Sequence, residues 1–242
     1  MIRNSYIFLH GISYKTERNI VNQGVKHWND FLKIDKIPKI SEIRKRDYDK
    51  AILLAKQQLI IENASYFNIL PKKETWRLYE YFKDEALFLD LEVDGKKNII
   101  LIGLYDGEHT KIFVKNINLD FNLLRREIKK YKLLITFNGS SFDLPLLKKH
   151  IPEINMPHID LKHCCSRLNL KNGLKEIEKQ LDIKRPRNLN GHPVELWKAL
   201  HASFDREYLD LLVQYNEEDI INLKTIMDYC YNKLKNEYRK EN

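Results

Sequence analysis

Four acidic residues with apolar neighbours lie in three short segments of the chain. They are Asp90, Glu92, Asp143 and Asp219. An unpaired carboxylate is costly to bury, so several of them on an apolar framework need a counter-charge. Mg²⁺ and Mn²⁺ prefer oxygen ligands and are commonly held by a few carboxylates together with substrate phosphates. The sequence therefore predicts a metal-dependent enzyme that acts on phosphodiesters.

The spacing of these acids predicts how their side chains are oriented. Asp90 and Glu92 are two residues apart at the end of an apolar run, so on a strand they face the same way. Tyr215 and Asp219 are four residues apart in a helical stretch and share one helix face. Each pattern alone is common, because an acidic pair that closes a strand is usually solvated. An Asp in a first helical turn, as predicted for Asp143, usually serves the helix dipole. The prediction rests on the combination.

Hydrophobic periodicity predicts the elements that must hold these residues. Short apolar runs predict strands at residues 86–90, 98–104, 111–114 and 133–137. Helical patterns cover residues 120–130, residues 141–150 and most of 174–234. Tight turns between the first three strands predict an antiparallel meander. The strand–helix–strand order that follows predicts an α/β fold, with helices on the faces of a mixed sheet.

The first third of the chain has a different pattern. Residues 16–21 lead to Gly24, which predicts a short helix ended by a glycine. Residues 47–62 carry apolar side chains at helical spacing and predict a longer helix. We therefore predict a small helical N-terminal region, residues 1–80, followed by a sheet-containing domain, residues 81–242.

The order of the acidic motifs resembles that of the DEDD (DnaQ-like) 3′–5′ exonuclease superfamily, which has the ribonuclease H-like fold. Asp90-Leu91-Glu92 matches its Asp-x-Glu motif, and Asn138 to Asp143 matches its Asn-x-x-x-Phe/Tyr-Asp motif. Tyr215 to Asp219 matches the Tyr-x-x-x-Asp motif of the tyrosine subclass. The histidine subclass has a His where this sequence has Gln214. The resemblance covers about residues 84–232 and implies a 3′–5′ exonuclease.

Further stretches resemble a bacterial and archaeal subgroup of predicted ribonuclease H-like exonucleases. They are residues 136–139, 142–147, 158–161, 174–178 and 216–220. Asp160 lies in one of them, at a strand end in that subgroup. Its two candidate roles are an accessory carboxylate and a structural hydrogen-bonding group.

The resemblance implies a two-metal mechanism with Mg²⁺ or Mn²⁺ acting on the 3′ end of single-stranded DNA or RNA. Asp90 would bridge the two ions, and Asp143 would bind the one away from the attacking water. Glu92 and Asp219 would bind the ion beside that water, and Tyr215 would hydrogen-bond the water itself. A phenol with a pKa of about 10 is a poor base at neutral pH, so an orienting role is favoured over proton abstraction.

Part of the N-terminal region resembles a helix-hairpin-helix element, in which a Gly-Ile-Gly turn offers backbone amides to a phosphate. Here Ser13 replaces the second glycine of that turn, so packing or partner docking is the alternative role of the region. The predicted nucleic-acid contacts are Asn138, Gly139, Lys15, Arg18, Arg44, Lys45 and Arg46. For each of the basic residues, a solvated helix face is the alternative.

Composition limits the partners and the compartment. The formal net charge is +8, and residues 1–80 hold 15 Lys and Arg against 9 Asp and Glu. A basic excess attracts polyanions, although ordinary solubility accounts for it equally well. No apolar run predicts a membrane span or a secretory signal, and three cysteines fit neither a disulfide framework nor a zinc site. We therefore expect a cytoplasmic protein without a membrane partner, whose oligomeric state the sequence does not specify.

Two other functions stay open at this point. One is an endonuclease on the same fold, since the motifs do not show whether the site is blocked beyond the 3′ end. The other is a catalytically silent nucleic-acid-binding or scaffold module, against which all four carboxylates and Tyr215 count. The choice between DNA and RNA depends on local geometry around the 2′-OH rather than on a motif.

Overall fold

A mixed five-stranded sheet forms the centre of the computed structural model, which describes residues 1–186 and 192–240. The strands are β1 (Ala86–Val93), β2 (Ile99–Tyr105), β3 (Thr110–Val114), β4 (Leu133–Thr136) and β5 (His158–Asp160). Their order in the sheet is β3-β2-β1-β4-β5. β1, β2 and β3 pair antiparallel, whereas β4 runs parallel to both β1 and β5. The predicted meander and mixed α/β sheet are confirmed.

Ten α-helices surround the sheet in the described part of the chain. They are α1 (Tyr14–Asn22), α2 (Trp28–Lys33), α3 (Glu42–Ile60), α4 (Tyr79–Phe82), α5 (Phe121–Ile128), α6 (Asp143–Leu147), α7 (Leu161–Arg167), α8 (Leu174–Gln180), α9 (Pro193–Ser203) and α10 (Arg206–Lys240). The long helix α10 packs against β1 and β2. This contact brings the last acidic motif to the strand that carries the first one.

Two helices begin at other residues than predicted, and local hydrogen bonds explain both differences. α3 begins at Glu42, five residues before the predicted start, because the hydroxyl of Ser41 accepts the N–H of Arg44. α6 begins two residues later than predicted, at Asp143, because the N–H of Ser141 closes a turn on the carbonyl of Asn138; this helix has no side-chain cap.

The N-terminal region and the sheet share one hydrophobic core. Trp28 and Phe31 of α2 belong to the same buried cluster as Phe88 of β1, Ile135 of β4 and Leu223 of α10. Residues 1–80, all of which the structure describes, form helices and no strand. The continuity of this core means that the N-terminal helices and the sheet support each other's packing. The proposed boundary at residue 80 stays a prediction.

A buried ion-pair network adds to this contact. The Arg77 guanidinium donates to Glu17 of α1 at 2.8 Å and to Glu74 at 2.5 Å, and its side chain is 1% exposed. Glu17 also accepts the backbone N–H groups of Tyr6 and Ile7. Arg167 of α7 donates to the other oxygen of Glu74. We call these four charged residues, Arg77, Glu17, Glu74 and Arg167, the Arg77 network.

None of the helices within residues 1–186 and 192–240 combines the length and the apolar character that crossing a membrane requires.

Candidate metal centre

Three of the predicted carboxylates converge where α10 crosses β1. Asp90 and Glu92 project from the same face of β1, and Asp219 projects from α10. One carboxylate oxygen from each lies within 4.8 Å of the other two. Period-2 alternation along the strand produces the first pair, and packing of the helix on the strand adds the third acid. We call Asp90, Glu92 and Asp219 the acidic centre.

The fourth predicted carboxylate adjoins this centre without belonging to the three-oxygen group. Asp143 is the first residue of α6 and is 2% exposed. Its Oδ1 accepts the backbone N–H of Leu91 at 3.2 Å. Since Leu91 lies between Asp90 and Glu92, this bond ties α6 to the strand that carries both acids.

The electrostatics of the centre favour the uptake of positive charge. Burial raises the pKa of Asp90 well above its ordinary value, and the charges of Asp143, Glu92 and Asp219 raise it further. Burial and the charge of Asp219 raise the pKa of Glu92 to about 8. Burial raises the pKa of Asp143 to about 7. These shifts mean that the carboxylates are poorly compensated as anions, which a hard divalent cation with oxygen ligands would correct.

The orientation of Asp90 depends on two residues that the sequence reasoning did not identify. Asn216 of α10 is fully buried and its Nδ2 donates to Asp90 Oδ2 at 2.8 Å. Gly103 of β2 is the register partner of Asp90. A Cβ at Gly103 would lie 1.8 Å from Asn216 Oδ1, so this position admits only glycine while Asn216 holds its place. A glycine inside an apolar strand is the available sequence signal, since it often marks close approach of another group.

Asp219 is in contact with two basic side chains that were also not predicted as site residues. Lys175 of α8 donates to Asp219 Oδ1 at 2.5 Å. Arg185 donates to the same oxygen through Nη2 and also binds Glu178. The stretch containing Lys175 and Glu178 had been noted only as a resemblance, because nothing local in the sequence places it beside Asp219.

Tyr215 lies one helical turn before Asp219 and is half-buried. The ammonium of Lys175 lies 3.8 Å from the centroid of its ring. Burial raises the pKa of the Tyr215 phenol, and the charges of Asp219 and Glu92 raise it further. The hydroxyl is therefore neutral at physiological pH and is suited to orienting a ligand by hydrogen bonding.

The turn after β4 is held by buried groups. Asp160 accepts the N–H groups of Asn138, Ser140 and Lys162 at 2.8, 3.0 and 3.1 Å, which is a structural hydrogen-bonding role. At Gly139 a Cβ would lie 2.0 Å from the hydroxyl of Thr136, which accepts the Gly139 N–H. This close approach fixes the turn that leads into Asp143.

The predicted basic contacts of the N-terminal region lie on α1 and α3. Lys15, Arg18, Arg44 and Arg46 are exposed. Lys45 is buried, donates to both oxygens of Asp49 and lies 4.9 Å from the centroid of the Phe31 ring, so it would have to leave Asp49 to reach a ligand. The nucleic-acid role of these five residues stays a prediction.

Comparison with known proteins adds family membership to this geometry. A search of the curated proteins gives no match. A family model described as RNase_H superfamily matches residues 87–231. The matched segment runs from β1 into the last third of α10, so it contains all four carboxylates and Tyr215. Since the match covers more than half of the chain, the protein belongs to the RNase_H superfamily.

Proposed function

We propose that this protein is a metal-dependent 3′–5′ exonuclease that removes nucleotides from single-stranded 3′ ends of DNA or RNA. Members of its superfamily are usually nucleases, and the acidic centre is compatible with divalent metal binding. The observation that carries the proposal is the convergence of Asp90, Glu92 and Asp219 within 4.8 Å at a strand end. Exonuclease polarity and the tyrosine subclass rest on the motif order and on Tyr215.

The donor set suits Mg²⁺ or Mn²⁺, since carboxylate oxygens are the ligands that these ions prefer. Two ions held by Asp90, Glu92, Asp143 and Asp219 would supply Lewis-acid stabilisation of the scissile phosphate and activation of water. Asn216 keeps the Asp90 carboxylate in one orientation, and the N–H of Leu91 does the same for Asp143. The ligands are thus held in place by the fold.

The reacting groups follow from the same arrangement. The oxygen of a water molecule attacks the phosphorus of the last phosphodiester and loses a proton to solvent. The bond to the 3′ oxygen of the preceding nucleotide breaks, and that oxygen takes up a proton from solvent. The neutral Tyr215 hydroxyl orients that water by hydrogen bonding. The turn at Asn138 and Gly139 is the proposed contact for the terminal nucleotide. Its backbone N–H groups already donate to Asp160 and Thr136, so the contact would be made by other atoms of the turn. Lys15, Arg18, Arg44 and Arg46 are proposed contacts for the rest of the strand.

The cytoplasm is the proposed compartment, because Cys164, Cys165 and Cys230 are all free and buried. The thiols of Cys165 and Cys230 lie 3.7 Å apart without forming a disulfide. Three cysteines, two of them adjacent, also do not form the paired framework typical of secreted domains.

The proposal is tested with 5′-end-labelled single-stranded DNA and RNA, incubated with Mn²⁺, Mg²⁺ or EDTA. A one-nucleotide ladder that requires metal and is lost in Asp90→Asn supports the exonuclease, and a loss of about 10³-fold or more is expected. Glu108→Gln, which changes an exposed acid outside the centre, is the matched control and should leave the ladder unchanged. Cleavage of a circular single strand would instead identify an endonuclease. Intact substrate in every lane would overturn the nuclease assignment.

A further inference from the structure

Two cations from different segments converge on one oxygen of the acidic centre. Lys175 Nζ and Arg185 Nη2 both donate to Asp219 Oδ1, the former at 2.5 Å. Asp219 belongs to the group of oxygens that is compatible with metal binding. Lys175 and Arg185 therefore lie beside the oxygens that would hold a metal.

Arg185 is held in a fixed plane by a buried acid. Its Nε and Nη2 donate to the two oxygens of Glu178, both at 2.5 Å. Glu178 is 2% exposed and also accepts the side-chain amide of Asn222 at 3.1 Å. Such a bidentate pair fixes both the position and the orientation of the guanidinium. Glu178 thus holds Arg185 beside the acidic centre even when Asp219 binds another group.

The guanidinium has one donor group left over. Arg185 Nη1 is buried, and among the described residues it has no hydrogen-bond acceptor. Leaving a buried donor of a charged group unsatisfied is costly, so its retention calls for an acceptor other than the described residues, such as a bound ligand. Because this nitrogen belongs to a guanidinium bound to Asp219, that acceptor would lie next to the acidic centre.

Lys175 adds a second cation, which is partly exposed. Its side chain is 38% exposed, and its ammonium lies over the Tyr215 ring, 3.8 Å from the centroid. The contact with the ring favours the cation, while exposure leaves the ammonium within reach of a ligand from solvent. An ammonium has three donors, so Lys175 can bind an additional oxygen without losing its place at the ring.

From these contacts we propose that Lys175 and Arg185 are phosphate-binding catalytic residues of the nuclease. Before metal arrives they neutralise Asp219. With Asp219 engaged as a metal ligand, Lys175 and Arg185 would be free to donate to non-bridging oxygens of the scissile phosphodiester. Each residue would then stabilise charge that grows as the water attacks. The inference rests on the proposed nuclease function and adds two contacts to it.

The test compares Lys175→Met and Arg185→Lys with Lys179→Met, which changes an exposed lysine of the same helix. Three quantities are measured: Mn²⁺ binding by calorimetry without nucleic acid, binding of a (dT)₁₀ oligonucleotide in Ca²⁺, and turnover in saturating Mn²⁺. In Lys175→Met and Arg185→Lys we expect Mn²⁺ binding equal to or tighter than wild type, because a competitor for Asp219 is removed or loosened. We also expect about 10-fold weaker oligonucleotide binding and about 100-fold slower turnover. Lys179→Met should match wild type.

Two results would overturn the inference. If Mn²⁺ binding weakens and excess Mn²⁺ restores full turnover, the two cations only position Asp219. If turnover and oligonucleotide binding are unchanged, they do not contact the phosphate. Lys175→Met keeps the question answerable if Arg185 variants fold poorly, since Lys175 is partly exposed. A wild-type protein that binds (dT)₁₀ through Lys175 but never cleaves it would contradict the nuclease proposal while retaining the phosphate contact.

Discussion

The Arg77 network and the acidic centre both bury carboxylates, but they differ in how far cations of the chain balance the negative charge. In the Arg77 network, Arg77 bridges Glu17 and Glu74, and Arg167 takes the remaining oxygen of Glu74. In the acidic centre, Asp90 accepts a hydrogen bond from an amide, and Lys175, the cation that acts on Asp90 and Glu92, is bonded to Asp219; the pKa values of Asp90 and Glu92 stay raised. Acids matched by guanidinium groups are structural, whereas acids left poorly matched mark a place that is compatible with an added cation.

The largest expected effect lies in the matched network. Arg77→Met should lower the free energy of unfolding by about 3–5 kcal/mol, because Glu17 and Glu74 would stay buried without their cation. Urea denaturation of this variant measures the loss. Arg126→Met, which removes an exposed arginine of α5, is the control and should change stability by less than about 0.5 kcal/mol. A loss below about 1 kcal/mol in Arg77→Met would mean that the network is not the contact that joins the N-terminal helices to the rest of the fold.

In the acidic centre the expected effect is smaller and depends on pH. The folded pKa of Glu92 is about 8 and that of Asp143 about 7, above their ordinary values of 4.5 and 3.8. The native state therefore keeps protons that the unfolded chain has released. The contribution of these two groups to the free energy of unfolding is complete below their unfolded pKa values and is lost as pH rises through 7 to 8. In EDTA, wild type should lose about 1–2 kcal/mol relative to Glu92→Gln between pH 6.5 and 8.5.

The comparison with Glu92→Gln removes contributions from other titrating groups. His158, whose pKa is lowered to about 4 by burial, acts in the opposite direction, mostly below the chosen range. Thermal unfolding at each pH gives stability as a function of pH for both proteins. Saturating Mn²⁺ should raise the wild-type stability and reduce its dependence on pH. Parallel curves in EDTA, or a wild-type curve that rises relative to Glu92→Gln, would show that the acidic centre is not strained by unmatched charge.

The local parts of this architecture were accessible from the sequence. Apolar runs predicted four of the strands, because a buried strand leaves a continuous hydrophobic signal. β5 has only three residues, too few for such a signal, and it was anticipated only through the resemblance around Asp160. The position of Asp90 and Glu92 on one strand face followed from a period of two.

The long-range parts were not accessible, because they depend on how α8 and α10 pack. Lys175 and Arg185 are 44 and 34 residues away from Asp219 along the chain, and no local pattern marks them as its neighbours. The contact of Asn216 with Asp90 spans 126 residues and requires both the register of β1 with β2 and the crossing of α10. Tertiary packing, not composition, decides which charges meet.

A third prediction tests whether the acidic centre is held by packing as firmly as the Arg77 network is held by charge. In Gly103→Ala the added methyl would meet Asn216 Oδ1 at 1.8 Å, so either the amide or α10 must move. We expect a loss of about 1–3 kcal/mol in the free energy of unfolding, as for other overpacked sites. Mn²⁺ affinity should fall about 10–100-fold, since Asp90 would lose the amide that orients it.

A double-mutant cycle with Asn216→Ala separates the steric clash at Gly103 from the loss of the hydrogen bond to Asp90. Stability and Mn²⁺ affinity are measured for each variant. Asn216→Ala removes both the clash and the hydrogen bond, so adding Gly103→Ala to it should cost little further stability or Mn²⁺ affinity. Leu53→Ala, at an exposed position of α3, provides a control for truncation outside the centre. Additive losses in the double variant would mean that Gly103 and Asn216 act independently. In that case the Asn216 amide would not orient Asp90, whose orientation would depend on the strand alone.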